Sequence, residues 1–368
     1  MDSKSHRQRS PLVRLSNGEH ILPNLHIQLK SWLEPRARPI SDYSKEMSSR
    51  NWQALGAKKL GLTTSLAQIM CNARSCEPNI SGPCLVVTSD YSGSHRGAAY
   101  EVYSVLVADF AFCEKWRALR RDIRSRFLPN GRRMSYKALN DANRRKALWP
   151  FLVAANSIPG VCASLAVAKN VETLFMPDNA PINAELEACL SWNRSLFERA
   201  LRIVHFVSFF VAGFSLPNQD VLWFSDEDEI AANPERLALL TKLCANVVSN
   251  YGLHPLRHLR CGTTKSEDGS YEVEDLAAIP DLAAGALVDI LTPLAGQLRT
   301  GVILPGPLDS KPKSSNIGRW LMDSNHPLKK ITLVIDKKPD SEALTVGEVA
   351  LHDLTDSLPI VEARTAGK

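Results

Sequence analysis

The sequence has no long uninterrupted apolar run. Its longest, Ile203 to Phe214, is broken by His205 and Ser208. A transmembrane helix needs about 20 consecutive apolar residues, so no membrane partner is expected. The opening MDSKSHRQRSPLVR lacks the apolar centre of a secretory signal, and the chain reads as cytoplasmic. Eight cysteines are present without a single Cys-x-x-Cys pair, several of them inside apolar segments, which is how reduced core thiols look rather than a zinc site. Also missing are a GxxxxGK[ST] phosphate loop and a GxSxG nucleophile elbow, which sets aside the P-loop nucleotidases and the α/β-hydrolases. His254 and His258 have the spacing of helical metal ligands, but Pro255 intervenes, and they read as core or surface histidines.

What is present is ordinary in amount and uneven in placement. Apolar residues at 44% and charged residues at 23% are globular values, and 368 residues allow one large domain with extensions or two domains. The net charge is only +5, yet residues 114–146 hold twelve Lys/Arg against three Asp/Glu, leaving the remainder acidic. A basic cluster on a near-neutral chain is either a solvated helix face or the footprint of a polyanion, so nucleic acid is an expected partner. The oligomeric state is not legible.

Residues 1–78 carry few strand signals and read as a partly helical N-terminal extension, with one helix from Asn51 to Asn72. From residue 79 to 295 apolar runs of strand length alternate with amphipathic segments, the pattern of an α/β domain. Cys84–Ser89 and Ala99–Ala108 read as paired strands around a loop with Gly93 and Gly97. Trp116, Leu119, Ile123 and Phe127 recur at helical spacing, which turns the intervening basic residues outward. A helix follows over Asp141–Ala155, a strand over Val161–Lys169, and a helix over Ala184–Phe214. Val221–Phe224 is a short buried strand, and Asn233-Pro234 starts a helix running to Tyr251. His258–Cys261 is a further strand. The segment DLAAIPDLAAGALVDIL gives a helix with Asp281 at its beginning and small residues Ala283, Ala284, Gly285 and Ala286 for close packing on the sheet. Residues 296–368 read as a linker, PGPLDSKPKSSN, and a small appendage, in which a strand at Ile331–Ile335 adds either to the sheet edge or to the appendage itself.

Two buried strands stop on carboxylates, Asp90 in CLVVTSDYSG and Asp226 in WFSDEDE, and Asp281 stands at a helix start. Each alone reads equally well as a cap, a turn residue or an acid favoured by a helix dipole. Together they could converge at one sheet edge, as metal-assisted phosphoryl chemistry requires, and Mg²⁺ (or Mn²⁺) prefers such oxygen ligands.

The segments SDYSG at 89–93, SDEDE at 225–229 and IPDLAAGAL at 279–287, in this order, resemble the bacterial domain-of-unknown-function 3800 family over about residues 84–292. That family is similar to ribonuclease H-like domains, so the resemblance implies a ribonuclease H-like mixed sheet flanked by helices. It also implies a metal-dependent nuclease with Asp90, Asp226 and Asp281 as catalytic metal ligands. Asp228, two residues past Asp226, is a candidate fourth ligand. The family's Glu after the first Asp is Tyr91 here, and Arg133 stands where an acid precedes the Tyr-Lys-like segment. These departures keep open a catalytically inactive nucleic-acid- or protein-binding module, in a mobile-element or defence setting. Arg120, Arg121, Arg124, Arg132, Arg133 and Lys137 are the candidate phosphate contacts.

Overall fold

The structure, a computed structural model, describes residues 44–58, 61–73, 77–175, 192–226, 228–267, 269–295, 311–323, 325–337, 341 and 343–349. In chain order its elements are α1 (Ser44–Ala57), α2 (Leu62–Asn72), β1 (Cys84–Ser92), β2 (Tyr100–Asp109), α3 (Glu114–Phe127) and α4 (Ala142–Ala155). Then come β3 (Gly160–Ala168), α5 (Arg194–Phe214), β4 (Asp220–Ser225), α6 (Pro234–Tyr251), β5 (His258–Thr263), α7 (Glu272–Leu291), α8 (Pro312–Met322), β6 (Leu328–Lys337) and β7 (Leu344–Glu348).

The strands form one mixed sheet in the order β5-β4-β1-β2-β3-β6-β7. β1, β2 and β3 make an antiparallel meander, β4 and β5 add parallel on the far side of β1, β6 lies parallel to β3, and β7 closes that edge antiparallel. The expected α/β class is therefore observed. The runs GVCASLAVA of β3 and DVLWFS of β4 are buried along their whole length because helices cover both faces, which is why they are apolar without alternation. Gly93 turns the chain out of β1 at φ 96, a conformation that costs a residue with a Cβ.

Alternation along β1 divides the layers. Thr88 and Asp90 face α7, whereas Tyr91 stacks on Tyr103, which meets Phe206 of α5 edge-on. α5 begins at Arg194, after Asn193 accepts the Leu196 N–H at 2.7 Å. The earlier start expected at Ala184 lies outside the described residues. α6 starts as its sequence demands, with Asn233 accepting from the Arg236 N–H at 2.8 Å and Pro234 in the first turn.

Four expectations are corrected. The helix expected over Asn51–Asn72 is two helices, with Gly61 at φ 56 between them. They belong to the core: buried Trp52 packs on Phe209, Phe210 and Phe214 of α5, over Gly213, where any side chain would strike the indole. Ile331–Ile335 is no appendage, because β6 pairs on both sides inside the sheet. The last residues of PGPLDSKPKSSN open α8, with Pro312 at its first turn and Ser314 buried.

The fourth concerns α7, which starts at Glu272, so Asp281 lies in mid-helix. Glu267 caps it, accepting the N–H groups of Val273 at 3.0 Å and Glu274 at 3.1 Å. Pro280 is interior and cannot donate to the Leu276 carbonyl. The Thr88 hydroxyl on β1 donates to that carbonyl instead, at 3.1 Å, which fixes α7 against the strand carrying Asp90. The span Glu272–Leu294 is long and apolar enough to cross a membrane by composition, but 72% of its apolar window is buried inside the fold, as in a core helix.

Candidate active site at the ends of the parallel strands

Ser89 of β1 pairs with Ser225 of β4, and Ser225 with Thr263 of β5. The next residues, Asp90, Asp226 and Thr264, therefore emerge side by side at the C-terminal ends of three parallel strands. Crevices at such ends are where open α/β sheets bind ligands. The Thr264 hydroxyl donates to Asp226 at 3.3 Å.

Asp281 reaches the same edge from α7 and is hydrogen-bonded to Asp90. Burial, and then the negative charge of Asp281, push the Asp90 carboxyl well above its ordinary range. Burial raises Asp281 too, although the Tyr136 N–H, Asp90 and Ser135 all donate to it. The charge of Asp226 raises both. Two carboxyl groups this close and this poorly hydrated oppose each other's ionisation, which favours a proton shared between them with Asp90 as the donor.

The loop before α4 shapes the pair. The Tyr136 N–H donates to Asp281 Oδ2 at 2.7 Å, and its hydroxyl contacts Asp289 Oδ2 at 2.6 Å and Ser314 Oγ at 2.5 Å. Asp281, Gly285 and Asp289 are spaced by four along one helix face. The ring lies over Gly285, where a Cβ would come within 2.8 Å of the Tyr136 Cβ and closer still to the ring. The small residue at 285 thus admits Tyr136, where packing against the sheet had been expected. Lys313 Nζ donates to the Tyr136 carbonyl at 3.2 Å and sits 4.0 Å from the ring centroid.

Asp228 is not brought to the pair. The Tyr91 hydroxyl donates to it and the Ile230 N–H caps it at 3.0 Å, and Tyr91 points to the face of β1 opposite Asp90. Asp228, expected as a fourth ligand, is therefore held to Tyr91 on the other face of β1 and not beside Asp90 and Asp281.

The arginines divide. Arg120, expected outward, is 4% exposed and bonds Asp275, which is 1% exposed, at 2.8 Å. Arg124 holds the same carboxylate through two bonds, at 2.6 and 2.7 Å, so this buried cluster joins α3 to α7. Arg132 pairs with Asp141 at 2.5 Å. Arg133 holds Glu274 at 2.5 Å and lies 4.0 Å from Asp226. Arg121 and Lys137 are exposed. Of the six expected phosphate contacts, Arg121, Lys137 and the half-exposed Arg133 present charge to solvent, and Arg120, Arg124 and Arg132 are framework.

The supporting groups Ser135, Tyr136, Glu274 and Thr264 were not singled out by sequence. The Tyr-Lys-like segment pointed at the right loop, but nothing in its spacing shows that a backbone N–H is its working group. Among the described residues no group of three or more His, Cys, Asp or Glu is arranged to hold a metal ion by itself. The donor set still fits a hard divalent cation, since Mg²⁺ is commonly held by one or two carboxylates with water and substrate phosphate completing its shell. No family model, no curated protein and no solved structure matches this chain.

Proposed function

We propose that the chain is a Mg²⁺- or Mn²⁺-dependent nuclease of ribonuclease H-like architecture, cutting a nucleic-acid phosphodiester at the Asp90–Asp281 pair. The observation that carries this reading is the hydrogen bond between two largely buried carboxyl groups from distant parts of the chain, with Asp226 at the neighbouring strand end. Such repulsive burial serves no packing purpose and is a mark of functional sites. The meander β1–β2–β3 with β4 and β5 added parallel to β1 supports the architectural part.

In this reading Asp90 and Asp281 hold the cation and release their shared proton, and Asp226 faces the substrate side. A bound divalent cation supplies Lewis-acid stabilisation of charge developing on the phosphodiester. Tyr136 keeps Asp281 oriented through its N–H. Arg121, Arg133 and Lys137 receive backbone phosphates, which positions a substrate without specifying its sequence.

The second reading, an inactive nucleic-acid- or protein-binding module, is favoured by one contact. Arg133 sits close enough to Asp226 to neutralise it. Cleavage of single- and double-stranded DNA and RNA by the purified chain, with Mg²⁺, with Mn²⁺ and with EDTA, decides between them. Metal-dependent cleavage that disappears in both Asp90→Asn and Asp281→Asn supports the nuclease. Nucleic-acid binding with no cleavage under any metal leaves the inactive module.

A further inference from the structure

The large hydrophobic residues Trp149 and Val153 are 52% and 49% exposed, and both lie on α4 four residues apart, hence on one face. Arg145 and Lys146, one turn earlier, are exposed on the same side. The helix, ANRRKALWPFLVAA, has three cations and no carboxylate. Among the described residues neither Arg145 nor Lys146 has an acidic partner, in contrast to Arg120, Arg124 and Arg132 on the neighbouring segments. Pro150 also leaves the Lys146 carbonyl without its helical donor, on the exposed side where water reaches it.

This stripe is tied to the carboxylate site. Arg144 Nε donates to the Arg133 carbonyl at 2.6 Å, and the Arg133 side chain is the one that approaches Asp226. Along the helix axis Trp149 lies about 7.5 Å beyond Arg144 at 1.5 Å per residue. A chain leaving the aspartates past Arg133 would therefore meet two unpaired cations and then an open aromatic face.

We propose that the Arg145–Lys146–Trp149 face of α4 is a track for single-stranded nucleic acid, with Trp149 as the base-stacking platform. This rests on the nuclease reading of the neighbouring site. The chemistry selects a single strand, because cations matched to a backbone and an aromatic plane matched to a base are used together only where bases are unstacked. A duplex hides those faces.

The test uses the full chain carrying Asp281→Asn, so that bound substrate is not cut, with a short labelled oligonucleotide offered single-stranded and as a duplex. Trp149→Ala is expected to weaken single-strand binding about tenfold, Trp149→Phe to retain most of it, and neither to alter duplex binding. Arg145→Gln with Lys146→Gln should weaken binding and flatten its dependence on salt. Unchanged single-strand affinity in Trp149→Ala, while the wild-type chain still cleaves, overturns the track and spares the nuclease. A wild-type chain that neither binds nor cleaves nucleic acid overturns both. If the face is instead covered by a second copy, Trp149→Ala will convert a dimer to a monomer in sedimentation without a loss of affinity, and the track is likewise rejected.

Discussion

Asp90 donates a hydrogen bond to Asp281, so two acidic side chains are held in contact through a proton. Burial that keeps them there opposes their ionisation, so the folded state bears the cost of withholding full ionisation from the pair. Asp281→Asn keeps the shape and an acceptor for the Tyr136 N–H while removing one charge. Its expected effects are opposite in sign: loss of metal-dependent cleavage, and a gain in unfolding free energy of about 0.5–2 kcal/mol, as when a strained functional site is relieved. Urea unfolding at pH 7 measures the second. A destabilised variant would show that the pair is a structural contact.

Arg133 holds Glu274 and comes within 4.0 Å of Asp226, so it competes with any cation for that carboxylate. Both partners are about half exposed, and such pairs are worth at most about 1 kcal/mol. Arg133→Gln should therefore tighten Mg²⁺ binding by up to about fivefold, read as the Mg²⁺ concentration that half-saturates the rise in melting temperature. Its nucleic-acid affinity should fall in the same variant, since Arg133 is also a phosphate contact. Unchanged Mg²⁺ binding would place Asp226 outside the cation's reach.

Local chemistry was readable where it was written locally. The strands carrying Asp90 and preceding Asp226 and the Asn233-Pro234 cap were all visible, because each depends on a few adjacent residues, although β1 runs two residues past Asp90 to Ser92. Asp281 was misplaced because Pro280 is a start signal by local rules, and only Thr88 on a distant strand satisfies the carbonyl it strands. Arg120 read as solvated because its partner Asp275 arrives from another helix. Asp228 lies in a loop past β4, where strand alternation no longer fixes a face. The interior position of β6 was likewise set by pairing with β3, a non-local choice that ITLVID alone does not encode.

Gly285 tests how tightly the Tyr136 loop is fitted to α7. Alanine favours a helix interior by about 1 kcal/mol over glycine. Here its Cβ would overlap a ring pinned through Asp289, Ser314 and the Tyr136 N–H, so the ring cannot yield cheaply. Gly285→Ala should destabilise by about 1–3 kcal/mol net and lower cleavage by moving the N–H off Asp281. A variant as stable and as active as the wild type would show that the loop tolerates displacement and that Tyr136 does not orient the carboxylate.

His205 gives the fold an acid limb independent of the carboxylate site. Its ring stacks on Phe175 at 4.0 Å, its Nδ1 meets the Tyr251 hydroxyl at 2.9 Å, and burial lowers its pKa to about 4. Unfolded, it takes up a proton near 6.5. Between those values the unfolded state holds more protons, so stability is fully present above pH 6.5 and falls as pH drops toward 4, by on the order of 1–3 kcal/mol. His205→Phe keeps the stacking surface, and Tyr251 retains Thr63 at 3.1 Å. That variant should lose less stability than the wild type between pH 7 and pH 5 in urea titrations. The slope that remains includes His254, which burial also lowers. Equal losses in the two proteins would show that His205 is not the group taking up the proton.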